Sequence, residues 1–307
     1  MTDLVSITKV VNSVQGALNT GLDHLQLSIR PEIPIIIKPN LCCVRTSETG
    51  ATTNPRIVDV LIKYFRNRFG SKEFYIVESD ATMLNADVAF QILGYKKLAL
   101  EAGANIINLS KVPWDMRNLR NNMFQTKVRI PRLFQRPHFL ISVAKMKTHD
   151  SCGISATLKN MFGCNPEPYK LKYHKNLNHN VVDFAAAYPP SLSIIDGIVG
   201  MEGTGPVSGT PVRVGAMMFG TNPVATDHVV AKAMGIDPNK IETLRIARQQ
   251  GIGTFQYKVV GLDLNEVRTQ FKRPISVTSK LISSKIFNLF KIYSSATSKL
   301  VMSHGRK

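Results

Sequence analysis

Five apolar runs, each ending at a cluster of ionisable or amide side chains, constrain this chain more than any other feature. Ile33-Pro-Ile-Ile-Ile runs into Lys38-Pro39-Asn40, Phe74-Tyr-Ile-Val into Glu78-Ser79-Asp80, and Phe139-Leu-Ile-Ser-Val-Ala into Lys145-Met146-Lys147-Thr148-His149. Leu192-Ser-Ile-Ile runs into Asp196-Gly197, and Val214-Gly-Ala-Met-Met-Phe into Gly220-Thr-Asn222-Pro with Asp227 beyond. Short apolar runs bounded by polar residues read as strands buried on both faces. Ligands of an open α/β sheet bind outside the carboxyl ends of its parallel strands, so five ends decorated in this way predict one site gathered from distant parts of the chain.

The intervening segments supply the crossovers that such a sheet needs. Asn54-Pro55 predicts a capped helix start, and Ile57, Val58, Leu61, Ile62 and Phe65 keep helical spacing up to Gly70. Further helices are predicted over 87–101, 155–162, 223–234 and 241–249, with a loosely alternating strand at 4–11 and others at 105–109 and 257–260. Alternating β and α units predict an α/β fold with a mostly parallel sheet and helices on both faces. The segment 112–137 breaks the rhythm and reads as a β excursion or hairpin. The polar, aperiodic segment 165–179 reads as a lid or binding loop. A single domain over 1–265 and a basic C-terminal tail over 266–307 account for the chain.

Charge sets the expected partners. The net charge is +18, and nine Lys or Arg with no Asp or Glu fall between Arg268 and Lys307. Within that tail Ile282, Ile286, Leu289, Phe290 and Tyr293 keep helical spacing, which suits either a basic amphipathic helix on an anionic membrane surface or docking onto the protein's own core. A second acid-free stretch, 116–149, carries eight more cations. No recognised DNA- or RNA-reading motif is present, so nucleic acid is not an expected partner. No apolar stretch approaches the roughly 18 to 20 residues that span a bilayer, and the four cysteines do not form a disulfide framework. A cytoplasmic protein, in peripheral contact with a membrane if the tail binds one, is expected.

The strand ends suggest an anion site. Lys145-x-Lys147-x-His149, followed by Lys159-Asn160, gathers cations beside a helix start, which suits a carboxylate or phosphate, although a solvated basic loop would have the same spacing. Lys38, Lys145, Lys147 and Lys159 are the expected anion ligands, Asn40 and Asn160 would orient the ligand, and Glu202 and Asn222 would add contacts. His149, Lys147 or Asp196 would move a proton. Glu78, Asp80 and Asp227, with Asp196, would hold a divalent cation if one is used, or cap helices instead. The five glycines within 196–209 allow backbone to approach a ligand, but their spacing is not a dinucleotide fingerprint, and no Walker A sequence occurs. Cys42, Cys43, Cys152 and Cys164 would converge with His149 if thiol or soft-metal chemistry were used, or serve as small core residues.

Several of these segments resemble one family. They are Ile36-Ile37-Lys38-Pro39-Asn40, Ala51-Thr52-Thr53-Asn54-Pro55, Lys145-Met-Lys-Thr-His149 with Thr157-Leu-Lys-Asn160-Met-Phe-Gly163, Ile195-Asp196-Gly-Ile-Val-Gly-Met-Glu202, and Asn222-Pro-Val-Ala-Thr-Asp227. Together they are similar, over about 33–253, to the domain-of-unknown-function 362 family. The resemblance implies an α/β protein whose relatives often carry a ferredoxin-like iron–sulfur module. This chain has no Cys-x-x-Cys run to hold such a cluster, so an iron–sulfur cofactor is not expected. Two functions follow as expectations: an enzyme acting on a small anionic metabolite by proton transfer or metal-assisted group transfer, or a non-catalytic ligand- or metal-binding accessory protein that docks through its tail.

Overall fold

The computed structural model describes residues 2–121 and 123–274. The chain runs β1 (Asp3–Lys9), α1 (Val14–Asp23), β2 (Ile35–Pro39), α2 (Pro55–Phe69), β3 (Phe74–Glu78), α3 (Ala86–Ile92), α4 (Tyr95–Ala102) and β4 (Asn105–Asn108). It continues through β5 (Trp114–Asn118), β6 (Lys127–Pro131), β7 (Phe139–His149), β8 (Gly153–Ser155), α5 (Thr157–Met161) and α6 (Leu177–Ala187). The last elements are β9 (Leu192–Glu202), β10 (Thr210–Val212), β11 (Ala216–Gly220), α7 (Pro223–Ala233), α8 (Glu242–Gln249), β12 (Tyr257–Gly261) and α9 (Leu264–Val267). The main sheet has the order β12-β1-β11-β9-β7-β2-β3-β4, with β10 added to β9 and β8 to β7. β9, β7, β2, β3 and β4 pair in parallel, whereas β11 is antiparallel to both β9 and β1. The fold is the expected α/β architecture, and 112–137 forms the separate β5–β6 hairpin.

The alternation of strand residues builds a core on each face. In β2, Ile35 and Ile37 join Ile76, Ile141 and Phe65 on one side, while Ile36 joins Leu140, Val77 and Phe184 on the other. The first side is covered by α1, α2 and α4, and the second by α5 to α8. α2 starts as expected: the Asn54 side chain accepts from the Arg56 amide, Pro55 follows, and Gly70 closes the helix in a left-handed conformation.

Three expectations are corrected. The helix expected over 87–101 is two helices, because Gly94 adopts φ +79° between α3 and α4. Lys145 to His149 is not a loop, since β7 continues to His149, and Lys145 and Lys147 are at most 1% exposed. The fifth decorated end does not share the edge of the other four. Parallel strands need a crossover of a dozen or more residues, usually helical, but the chain between β9 and β11 holds only β10, which folds back antiparallel on β9. β11 therefore runs the other way, and Asn222 lies at the opposite edge.

The compact unit extends past 265 to Pro274. Val267 and Phe271 are buried, and the Thr269 and Phe271 amides donate to the carbonyls of Ala233 and Met234. The amphipathic pattern at 282–293 lies outside the described residues. Among the described residues no helix is long and apolar enough to cross a membrane. Asn54→Ala removes the α2 cap and should lower stability by about 1 kcal/mol in urea unfolding, with an unchanged denaturant slope.

Candidate functional site

At the carboxyl ends of β2 and β7 lysines occupy strand positions, and Lys38 on β2 lies beside Glu78 of β3 and Asn160 of α5. Lys38, 1% exposed, donates from Nζ to Glu78 Oε2 at 2.7 Å, to the Pro39 carbonyl at 2.7 Å and to Asn160 Oδ1 at 3.2 Å. Each ion of such a pair loses several kcal/mol of hydration, so it persists only where both partners are saturated with hydrogen bonds. Glu78 also accepts from the Ser79 amide at 3.0 Å and the Leu41 amide at 3.4 Å. Asn160 completes the arrangement by donating to the Lys38 carbonyl at 2.9 Å and to Ser142 Oγ at 3.0 Å, which ties α5 to β2 and β7. Gly163 leaves the room: a Cβ there would meet Lys38 Nζ and Glu78 Oε1 at 2.6 Å.

A second buried pair lies between adjacent strands. Lys145 Nζ donates to Asp196 Oδ2 at 2.9 Å, and Asp196 also accepts from the amides of Asn54 at 2.9 Å and Ile198 at 3.2 Å. The pair fixes where α2 begins relative to β7 and β9.

Three more lysines have no carboxylate in ion-pair contact among the described residues. Lys147 Nζ donates to the Ala51 carbonyl at 2.7 Å, the Pro206 carbonyl at 3.1 Å and Cys42 Sγ at 3.1 Å. Lys170 Nζ donates to Ser79 Oγ and to the Asn165 carbonyl at 3.1 Å. Lys159 and Lys170 face the same Phe162 ring, at 4.7 Å and 5.8 Å from its centroid, a contact that partly replaces lost hydration. Burial pulls the Lys159 ammonium below its usual range and brings Lys170 down to about 8, although Glu78 opposes the latter shift.

Lys38, Lys159 and Lys170 line one cavity of ≈ 210 Å³, together with Asn40, Cys42, Glu78, Ser79, Asn160, Phe162 and His174. Asn40 Oδ1 is buried and has no hydrogen-bond partner among the described residues. Burial also lowers the His174 imidazole, so its neutral form prevails at pH 7. The segment expected as a lid takes part: its 3-10 turn, Lys170–Asn176, supplies Lys170 and His174, and Glu167 anchors it to Arg129 on β6 at 2.8 Å.

Of the residues expected at the site, Lys38, Asn40, Glu78, Lys159 and Asn160 are brought together in this wall, and Lys147 stands behind Cys42. The others have structural partners elsewhere. Lys145 and Asp196 are closed into their own pair. His149 Nδ1 accepts from the Ser151 and Cys152 amides at 3.2 and 3.4 Å, and burial holds its imidazole down to about 4. Asp80 Oδ1 accepts from the Ala86 amide and Asn108, at the start of α3. Asp227 caps α5 from α7, its two oxygens accepting the Thr157 and Leu158 amides at 2.8 and 2.9 Å. Glu202 accepts the Lys272 amide at 2.8 Å, and Asn222 caps α7 while donating to Asp3.

Among the described residues no group of three or more His, Cys, Asp or Glu side chains is gathered as metal ligands, and Glu78, Asp80 and Asp227 each have separate partners. The glycine-rich loop turns a carbonyl, not its amides, toward Lys147. Lys170 and His174 were not singled out by strand-end reasoning; the polarity of their segment was the signal for them.

A family model described as domain of unknown function (DUF362) matches residues 35–232, ending short of the 253 expected from the motifs. A thylakoid-associated protein of Synechocystis sp. is 26% identical over 231 residues, covering 73% of this chain and 70% of that protein. No solved structure gives a significant match.

Lys38→Met should cost about 3–5 kcal/mol, because Glu78 is left buried and uncompensated, and adding Glu78→Leu should recover much of that loss in a double-mutant cycle read by thermal or urea unfolding. Gly163→Ala should destabilise by about 1–3 kcal/mol through overpacking against the same pair.

Proposed function

The chain belongs to the DUF362 family, whose description carries no activity, and from its own residues we propose that it is an enzyme acting on a small anionic metabolite, a carboxylate or phosphate, bound in the cavity at the carboxyl edge of the sheet. One observation carries this reading: two buried or half-buried lysines, Lys159 and Lys170, line the cavity without a carboxylate in ion-pair contact among the described residues. Buried charges are ordinarily paired, so this excess is suited to a ligand that brings the missing negative charge. At 4 Å and an effective dielectric near 20, each ammonium–anion contact contributes about 4 kcal/mol before desolvation.

The roles divide by environment. Lys159 and Lys170 hold the anion, Asn40 and Asn160 orient it, and the Lys38–Glu78 pair keeps that wall rigid. Proton movement falls to Lys170, which burial brings down to about 8, and to His174, whose imidazole burial keeps neutral at pH 7 and free to accept a proton; both line the cavity. They take the part expected of His149. Proton transfer beside the bound anion is favoured over metal-assisted transfer, because the one carboxylate in this wall, Glu78, is already engaged by Lys38.

A second reading, peripheral docking at an anionic membrane, is favoured by the acid-free run of cations from Arg268 onwards and by the thylakoid association in the relative's name. It is compatible with the first. The full chain should sediment with vesicles of phosphatidylcholine and phosphatidylserine but not with phosphatidylcholine alone, and should be released by salt. Truncation after Pro274 should abolish binding; if the truncated protein binds equally well, the tail is not the docking element.

Titration calorimetry or thermal shift with inorganic phosphate and simple carboxylates should show binding at pH 7. Lys159→Gln and Lys170→Gln should each weaken it by about tenfold or more, equivalent to the loss of one charge-assisted contact. Lys170 titrates near 8 in the free protein, so affinity should be full below that pH and decline above it as the ammonium loses its proton. Binding by none of these anions, or affinity indifferent to both substitutions, would overturn the proposal.

A further inference from the structure

Lys147 poses a question of charge balance. Its side chain is fully buried, and its three acceptors are two neutral carbonyls, Ala51 at 2.7 Å and Pro206 at 3.1 Å, and one sulfur, Cys42 Sγ at 3.1 Å. A buried ammonium with only neutral acceptors is costly, and Cys42 is the one acceptor of the three that can become an anion. Its sulfur is farther from the two carbonyls, 3.5 Å from Ala51 and 3.8 Å from Pro206, than from the ammonium. The side chain is also reachable: Cys42 is half-buried and lines the ≈ 210 Å³ cavity alongside Lys38, Lys159 and Asn160, whereas Cys152 and Cys164 are buried.

We propose that Cys42 is a nucleophile of this cavity, held as a thiolate by Lys147, and that it attacks an electrophilic carbon of the small anion that Lys159 and Lys170 bind. The electrostatics agree. A hydrogen bond from Cys43 holds Cys42 well below the usual thiol range against the opposing effect of burial, with the charges of Lys147 and then Lys159 adding to it. The same contact, with burial, raises Cys43, so the two neighbours differ sharply in reactivity.

In the step itself a sulfur electron pair forms the S–C bond while the bond from that carbon to its leaving group breaks, and the leaving group departs with the bonding pair. Lys147 keeps its proton throughout. The class of substrate is a small anion with a leaving group on carbon, such as an acyl phosphate, for which the product on the protein is a thioester and the released anion is phosphate. No oxidant or metal is needed.

This inference rests on the anion-binding reading above, and alkylation of the fully reduced full-length chain tests the two separately. Iodoacetamide is neutral and iodoacetate anionic; both transfer a carbon to sulfur with loss of iodide. With either reagent at pH 7, peptide mass mapping should show Cys42 modified at least about tenfold faster than glutathione, since an ordinary thiol is only a few per cent ionised there. The Cys42 rate should stay flat from pH 6 to 9. Its iodoacetate-to-iodoacetamide rate ratio should exceed that of glutathione.

Lys147→Met should slow Cys42 at pH 7 and restore an ordinary rise with pH. Should that variant not fold, the flat pH profile of the unaltered chain carries the test. Cys42 reacting no faster than glutathione with iodoacetamide, or with a rate that climbs through pH 8 to 9, overturns the nucleophile and leaves the anion cavity standing. Fast reaction with both reagents but no preference for iodoacetate supports the thiolate and overturns the anionic substrate.

Discussion

Lysine ammoniums placed in the interior of a sheet are the constraint on which this architecture turns. Each would forfeit several kcal/mol of hydration if left alone, and two are rescued by carboxylates on neighbouring parallel strands, Lys38 by Glu78 and Lys145 by Asp196. These pairs also fix position. Lys145–Asp196 joins β7 to β9 and, through the Asn54 amide, sets the first turn of α2. Lys38–Glu78 joins β2 to β3 and, through Asn160, brings α5 over the strand ends. The Lys38–Glu78 pair thereby builds a wall of the cavity, while the Lys145–Asp196 pair holds β7, β9 and the start of α2 together.

That division separates residues that look alike in sequence. Lys145 and Lys147 are two positions apart on one strand and equally buried, yet one is matched by an aspartate and the other faces carbonyls and a thiol. Asp80, Asp196 and Asp227 all follow or end strand-like runs, yet they organise the starts of α3, α2 and α5 respectively. Among the described residues these carboxylates are engaged by backbone amides and by lysines.

The sheet was legible because its information is local. β2, β3, β7 and β9 announce themselves by β-branched or apolar runs, and α2 by its cap, its proline and its closing glycine. Strand direction is less local. The reversal of β11 depends on what the preceding loop lacks, a crossover helix, and a reading of five like-oriented ends placed Asn222 on the wrong edge. The length of β7 was hidden for another reason: lysine ordinarily signals solvent, and only a compensating partner far along the chain shows that Lys145 and Lys147 continue a buried strand. The same limit applies to the site. Lys38, Asn40, Glu78, Lys159 and Asn160 sit at strand or helix ends and were found there, while Lys170 and His174 reach the cavity from a 3-10 turn with no periodic signature.

The position of β1 has a consequence for how the protein comes into being. This strand leaves the ribosome well before its partners, since it pairs Val5 with Gly220 of β11 and Asp3 with Tyr257 of β12. Contacts of such sequence separation are slow to form, and during synthesis the edges of β1 stay open until β11 and β12 have emerged. The parallel block β2, β3, β4, β7 and β9 can associate earlier, since its members are consecutive or nearly so in the nascent chain. Translation order therefore assigns the lysine-bearing half of the sheet to the start of assembly and the closure of its far edge to the end.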